Sequence, residues 1–115
     1  MKTWNLGELE AAGGARDPVV LSSGPEGRAV MIRLDPGQEL GEHQVKEYAF
    51  VVVLEGSARL GSGADAMDAE AGTLALWEPD ERRQITSSEG ARLLMLLSPW
   101  PGEGHYRGGD SPARG

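Results

Sequence analysis

At 115 residues the chain has room for one compact domain, since about 100 to 150 residues close around a single core; with no cysteine, disulfides and thiolate metal sites are excluded and a reducing cytoplasm is compatible. Eleven basic residues against 18 acidic give a formal charge of −7, which repels nucleic-acid phosphates and anionic membranes and argues against both as partners. No stretch reaches the roughly 18 apolar residues that would span a bilayer, and Met1-Lys2-Thr3-Trp4 lacks the charged-then-apolar layout of a secretion signal, so a soluble, cytoplasmic protein is expected.

Glycine and proline recur at short intervals, and no helical apolar spacing is sustained over several turns. That is the pattern of short strands separated by turns, an all-β chain. Only residues 6–12 suit a short helical turn. Strands are predicted over residues 19–22, 28–34, 48–55, 58–60, 73–77, 82–86 and 92–97. Turn signals lie between them: Gly24-Pro25-Glu26-Gly27, Asp35-Pro36-Gly37, Glu55-Gly56-Ser57, Gly61-Ser62-Gly63, Glu78-Pro79-Asp80-Glu81 and Ser88-Glu89-Gly90. No internal repeat or low-complexity tract is visible.

Two of these strands, Ala49-Phe50-Val51-Val52-Val53-Leu54 and Leu93-Leu94-Met95-Leu96-Leu97, are apolar at even and odd positions alike. Alternate side chains point to opposite sides of a strand, so neither face suits water. One face fits the interior of a sandwich-like barrel, and the other needs a cover, either a second layer or a partner subunit. A homodimer is the prediction, with cover by the chain's own amino-terminal strands as the alternative. Three segments follow: residues 1–27 with the first strand packing on the barrel, a barrel core at 28–98, and a Pro/Gly-rich tail at 99–115. The last residues of that tail, 107–115, are expected to be mobile. Its aromatic part, Trp100 and Tyr106, suits packing over the barrel or a neighbouring subunit.

The spacing of several residues resembles the cupin superfamily, specifically a small single-domain conserved-barrel member. Its first motif is followed in spacing by Gly37, His43, Val45, Ala49 and Gly56, and its second by Gly72, Glu78, Asp80, Arg83 and Ser87. The hairpin Val53-Leu54-Glu55-Gly56-Ser57-Ala58-Arg59-Leu60 is similar as well. The resemblance covers about residues 28–98. It implies a cupin-type double-stranded β-helix, a jelly-roll barrel in a single domain. In that family three histidines and a glutamate hold a divalent metal; the positions that match them here are His43, Val45, Ala49 and Arg83. One donor of four survives, where catalytic sites need about three protein ligands. Arg83 carries a guanidinium that stays protonated and offers no lone pair.

A shifted metal site would use His43 and Glu47, which share strand parity, with Gln44 or Glu42 nearby and His105 of the tail as a further donor. Without metal, His43, Glu47 and Arg83 among Val45, Ala49, Val51 and Trp77 make an apolar pocket with a few convergent polar groups, the usual make-up of a small-molecule site. Three readings stay open. In the first, the carboxylate or phosphate of a ligand meets Arg83 in a forked geometry and His43 exchanges a proton. That would be a binding module, or an isomerase, epimerase or lyase working without metal. In the second, Glu47 pairs with Arg83, the cavity is closed, and the protein acts through interactions. The third is a metal enzyme of the dioxygenase or isomerase type at the shifted site. Arg82 and Arg83 beside Asp80 and Glu81 also fit a solvated charged turn, and Trp77 fits a core residue with a satisfied indole N–H. No nucleophile elbow or phosphate-cradling loop occurs, so covalent catalysis and nucleotide hydrolysis are not expected.

Overall fold

The computed structural model describes residues 1–9 and 18–102, apart from the Glu42 side chain. Eight strands run in chain order: β1 (Val19–Gly24), β2 (Gly27–Leu34), β3 (Glu39–Gln44), β4 (Tyr48–Ser62), β5 (Asp65–Glu70), β6 (Leu74–Trp77), β7 (Arg82–Thr86) and β8 (Ala91–Ser98). All pairings are antiparallel, and the 15-residue β4 belongs to two leaves. Its first part continues the leaf β1-β2-β8-β4-β6, and its second part the leaf β3-β7-β4-β5. The sheet therefore curls on itself. Among the described residues no helix is long and apolar enough to cross a membrane.

Alternation decides which side chains enter the space between the leaves. In β8, Ala91, Leu93, Met95 and Leu97 are buried; in β4, Ala49, Val51 and Val53; in β2, Val30, Ile32 and Leu34. With Ala58, Leu60, Ala69, Trp77 and Ile85 they form one core cluster. Each fully buried Val, Leu or Ile contributes roughly 1.5–3 kcal/mol through removal from water.

Three sequence expectations change. The predicted turn at Glu55-Gly56-Ser57 does not reverse the chain; residues 48–55 and 58–60 lie in one continuous strand, with a bulge between Val53 and Glu55. Gly56, at φ +75°, makes the corner between leaves, and a Cβ there would lie 2.1 Å from the Gly90 carbonyl oxygen. Only a residue without a side chain fits. Second, β3 and β5 carry no apolar alternation and escape a periodicity search. Both lie at leaf edges, so they are held by main-chain pairing with one polar face in water. Third, residues 6–8 form a turn and residue 9 takes no regular structure, while residues 10–12 of that expectation lie outside the described residues, as do Tyr106, His105 and the 107–115 tail. The remaining turns fall at or next to the predicted positions: Gly61 and Ser62 still belong to β4, Gly63 (φ +59°) opens the tight hairpin to β5, and Gly37 and Gly90 are at positive φ in theirs.

Candidate functional site

The site lies where β3, β7 and the start of β4 meet. In β7 the burial alternates, with Arg82 and Gln84 outward and Arg83 and Ile85 inward. Arg83 is thus carried inside by the same parity that buries Ile85, and only 6% of it stays exposed. A solvated turn holding both arginines is thereby corrected: Arg82 is exposed and its neighbour is not. The Arg83 Nη1 donates to the Met95 sulfur at 3.1 Å. Its Nε finds no hydrogen-bond acceptor among the described residues. A thioether is a weak acceptor, and a buried donor left unmade costs about 1–3 kcal/mol, more for a charged group. Burial pulls the Arg83 pKa below its usual value, and the Glu47 carboxylate works against that pull.

Glu47 lies in the connection between β3 and β4 and is fully buried. Its Oε2 accepts the Gly102 backbone N–H at 2.6 Å, a charge-assisted bond. A Cβ at Gly102 would lie 2.5 Å from the Lys46 carbonyl oxygen and 3.0 Å from Glu47 Oε2, so the strap after β8 approaches this closely only as glycine. Trp100, two residues earlier, packs against the core and lies under the Arg28 guanidinium, 4.6 Å from the ring centre. The same connection is clamped to the 78–81 turn. Asp80 N donates to the Val45 carbonyl at 2.8 Å, Gln44 Nε2 donates to the Asp80 carbonyl at 3.0 Å, and Lys46 pairs with the Asp80 carboxylate.

The structure brings Arg83 and Glu47 into one buried, charge-balanced region. His43 is the cross-strand partner of Arg83, yet it sits on an edge strand and is exposed. The parity argued for His43 and Glu47 fails, because β3 ends at Gln44 and residues 45–47 are not strand. Trp77 is buried, and its Nε1 donates to the Gly61 carbonyl at 3.0 Å, a satisfied core indole. Val45 packs partly against the core and Ala49 is fully buried. These residues do not fit a divalent metal: Val45 and Ala49 have no donor atom, Arg83 is a cation, and the surviving imidazole faces solvent. The shifted pair fares no better: the His43 imidazole lies exposed on the edge strand while Glu47 is buried, and two donors fall short of the three that a stable site needs. Among the described residues no three His, Asp or Glu side chains gather closely enough to hold an ion.

Sequence reasoning missed Gly102 and Met95 as members of this site. Met95 was legible in principle, because it shares inward parity with Leu93 and Leu97. Nothing in a Pro/Gly tail signals that one amide reaches a buried carboxylate.

No protein-family model matches the sequence, and no curated protein matches it. Solved structures do. An RmlC-like cupin from Shewanella frigidimarina is similar with 25% identity and a TM-score of 0.71, over 80% of this chain and 83% of that one. An RmlC-like cupin from Desulfovibrio desulfuricans reaches a TM-score of 0.75 at 20% identity, over 86% of this chain and 97% of that one. A double-stranded β-helix protein from Klebsiella pneumoniae gives 0.73 at 19%, over 86% and 90%. The antiparallel leaves sharing β4, the inward core and these likenesses agree: this chain is a small single-domain protein with the cupin-type double-stranded β-helix fold.

Proposed function

We propose that the barrel is a metal-free small-molecule site in which Arg83 takes the carboxylate or phosphate of a ligand. The observation that carries this reading is the state of the guanidinium: buried, touching a sulfur through Nη1, and with Nε lacking an acceptor. An anionic oxygen pair is the acceptor that a guanidinium fork matches best, through two parallel charge-assisted bonds. Glu47 lowers the cost of holding the cation before a ligand arrives, and Val45, Ala49 and Val51 supply apolar walls. His43, at the exposed edge opposite Arg83, is placed to meet the outer part of a ligand. A chain without cysteine is compatible with a reducing cytoplasm, the location we propose.

A second reading has its own support. Glu47 both balances Arg83 and caps Gly102, which closes the region from within and fits a barrel that acts through its surface. A thermal-shift panel of carboxylates and phosphosugars separates the two. A ligand at a hundred times its dissociation constant should stabilise the protein by about 2.7 kcal/mol. The Arg83→Met variant, scored against its own unliganded melt, should lose that shift. A broad panel with no stabilising member, or a shift that survives Arg83→Met, would favour the closed barrel.

A further inference from the structure

Hydrogen-bonded ladders do not close the barrel all the way round. β6 is the edge of one leaf and β5 the edge of the other, and among the described residues each pairs with β4 alone. Side chains bridge the seam between these edges: the Trp77 indole donates to the Gly61 carbonyl at 3.0 Å, and the Ser62 hydroxyl donates to Glu81 Oε2. A hollow of about 280 Å³ lies along the seam, with Leu60, Met67, Leu76 and Trp77 in its apolar wall. Met67 pairs with the buried Leu60 and shares its inward face, yet 56% of it is exposed, because β5 is an edge.

Two carboxylates, Asp65 and Glu81, also line the hollow, and no lysine, arginine or histidine is among its lining residues. They sit at the same end. Asp65 is the cross-strand partner of Ser62, which sets their Cβ atoms roughly 4.5–5.5 Å apart, and Ser62 in turn holds Glu81. Glu81 is fixed from a second side, where its Oε1 accepts the Glu78 backbone N–H at 3.0 Å. The hydroxyl, and then the amide, keep its carboxyl below the usual glutamate range. A carboxylate has about four lone-pair sites, so after these two bonds Glu81 still has room to accept from a cation.

Chemistry narrows the occupant. An anion is repelled by both carboxylates, and a neutral apolar molecule would strip water from them without offering a partner. A divalent ion would find only these two, since among the described residues no three His, Asp or Glu side chains gather to hold one. We propose that the seam binds a small organic ammonium compound, its cationic nitrogen meeting Glu81 and Asp65 and its apolar body lying against Met67, Leu76 and Trp77. The formal charge of −7 draws such a cation to the chain. Drug-sized sites begin at roughly 300 Å³, so the hollow suits a single ring on a short amine arm. Arg83 is not among the lining residues, which makes this site separate from the anion site proposed above.

Titration calorimetry and amide NMR on the whole chain test this with phenethylamine and its neutral analogue, phenethyl alcohol. The amine should bind one to one with a Kd of about 1 mM or tighter. The alcohol, which forfeits the charge-assisted bonds, should bind about tenfold more weakly or worse. Amide shifts caused by the amine should concentrate at residues 60–67 and 75–81. Asp65→Asn combined with Glu81→Gln should bind the amine no better than the alcohol. A general loosening of the fold would weaken both probes and leave their ratio, so the ratio reads the two charges alone. Asp65→Asn by itself, on an exposed side chain, should already lower it. An amine that fails to bind at about ten times the expected Kd, an alcohol that binds equally well, a ratio untouched by the double variant, or shifts centred elsewhere would each overturn the proposal.

Discussion

Replacing Glu47 by glutamine keeps its shape and an oxygen for the Gly102 amide, and removes only the charge. Arg83 would then be a guanidinium with 6% exposure, a sulfur contact and no facing carboxylate. Breaking a buried pair from one side costs about 3–5 kcal/mol, and weakening a charge-assisted bond to a neutral one adds about 1 kcal/mol. Glu47→Gln should therefore lose about 4–6 kcal/mol. Arg83→Met, which fills similar volume beside Met95, leaves the carboxylate uncompensated and should lose about 3–4 kcal/mol. With both changes neither charge remains, and the loss should fall to about 1–2 kcal/mol, since apolar replacement of a whole buried pair is often nearly neutral. The coupling energy from urea unfolding of the four proteins is then several kcal/mol, well above the error of linear extrapolation. If the double variant loses the sum of the two singles, the residues do not compensate each other and the charge-balanced description of the site is wrong.

Gly102→Ala should destabilise by about 1–3 kcal/mol, because its methyl would meet the Lys46 carbonyl at 2.5 Å and force the strap away from Glu47; a melt within a degree of the native one would contradict this. Trp77→Phe should cost about 1–2 kcal/mol by leaving the Gly61 carbonyl without its indole donor, measurable in the same unfolding assay. Glu81 is held below the usual glutamate range by the Ser62 hydroxyl and then by the Glu78 amide. A depressed acid stabilises the fold above its unfolded pKa and loses that contribution as pH falls through the folded value. In a carboxyl carbon NMR titration, Ser62→Ala should move the Glu81 midpoint upward, and an unmoved midpoint would remove the hydroxyl as the cause.

The legible parts of the fold were those fixed by burial on one or both sides. Ala49 to Leu54 and Leu93 to Leu97 declared themselves as strands because apolar residues fill both of their faces. β3 and β5 did not, since Glu39-Leu40-Gly41-Glu42-His43-Gln44 and Asp65-Ala66-Met67-Asp68-Ala69-Glu70 owe their strand form to ladder bonds with β7 and β4, and such bonds leave no mark in side-chain chemistry. Gly56 misled in the other direction: a turn residue can mark a corner inside a strand. Within the site, the sequence left Arg83 open between the interior and a solvated turn, and strand parity with Ile85 settles it inward; the Gly102 amide depended on a chain path that no local pattern encodes. His43 matched the family spacing, but position on an edge strand rather than sequence offset decides whether an imidazole enters the barrel.

The central claim of the proposal is that a cation of the chain's own, Arg83, occupies the barrel interior at a position that the cupin resemblance matches to a metal donor. Metal analysis of protein purified without an affinity tag tests it most directly. The account predicts iron, manganese, zinc and nickel far below one equivalent per chain, and one equivalent of any of them, retained through dialysis, would contradict it.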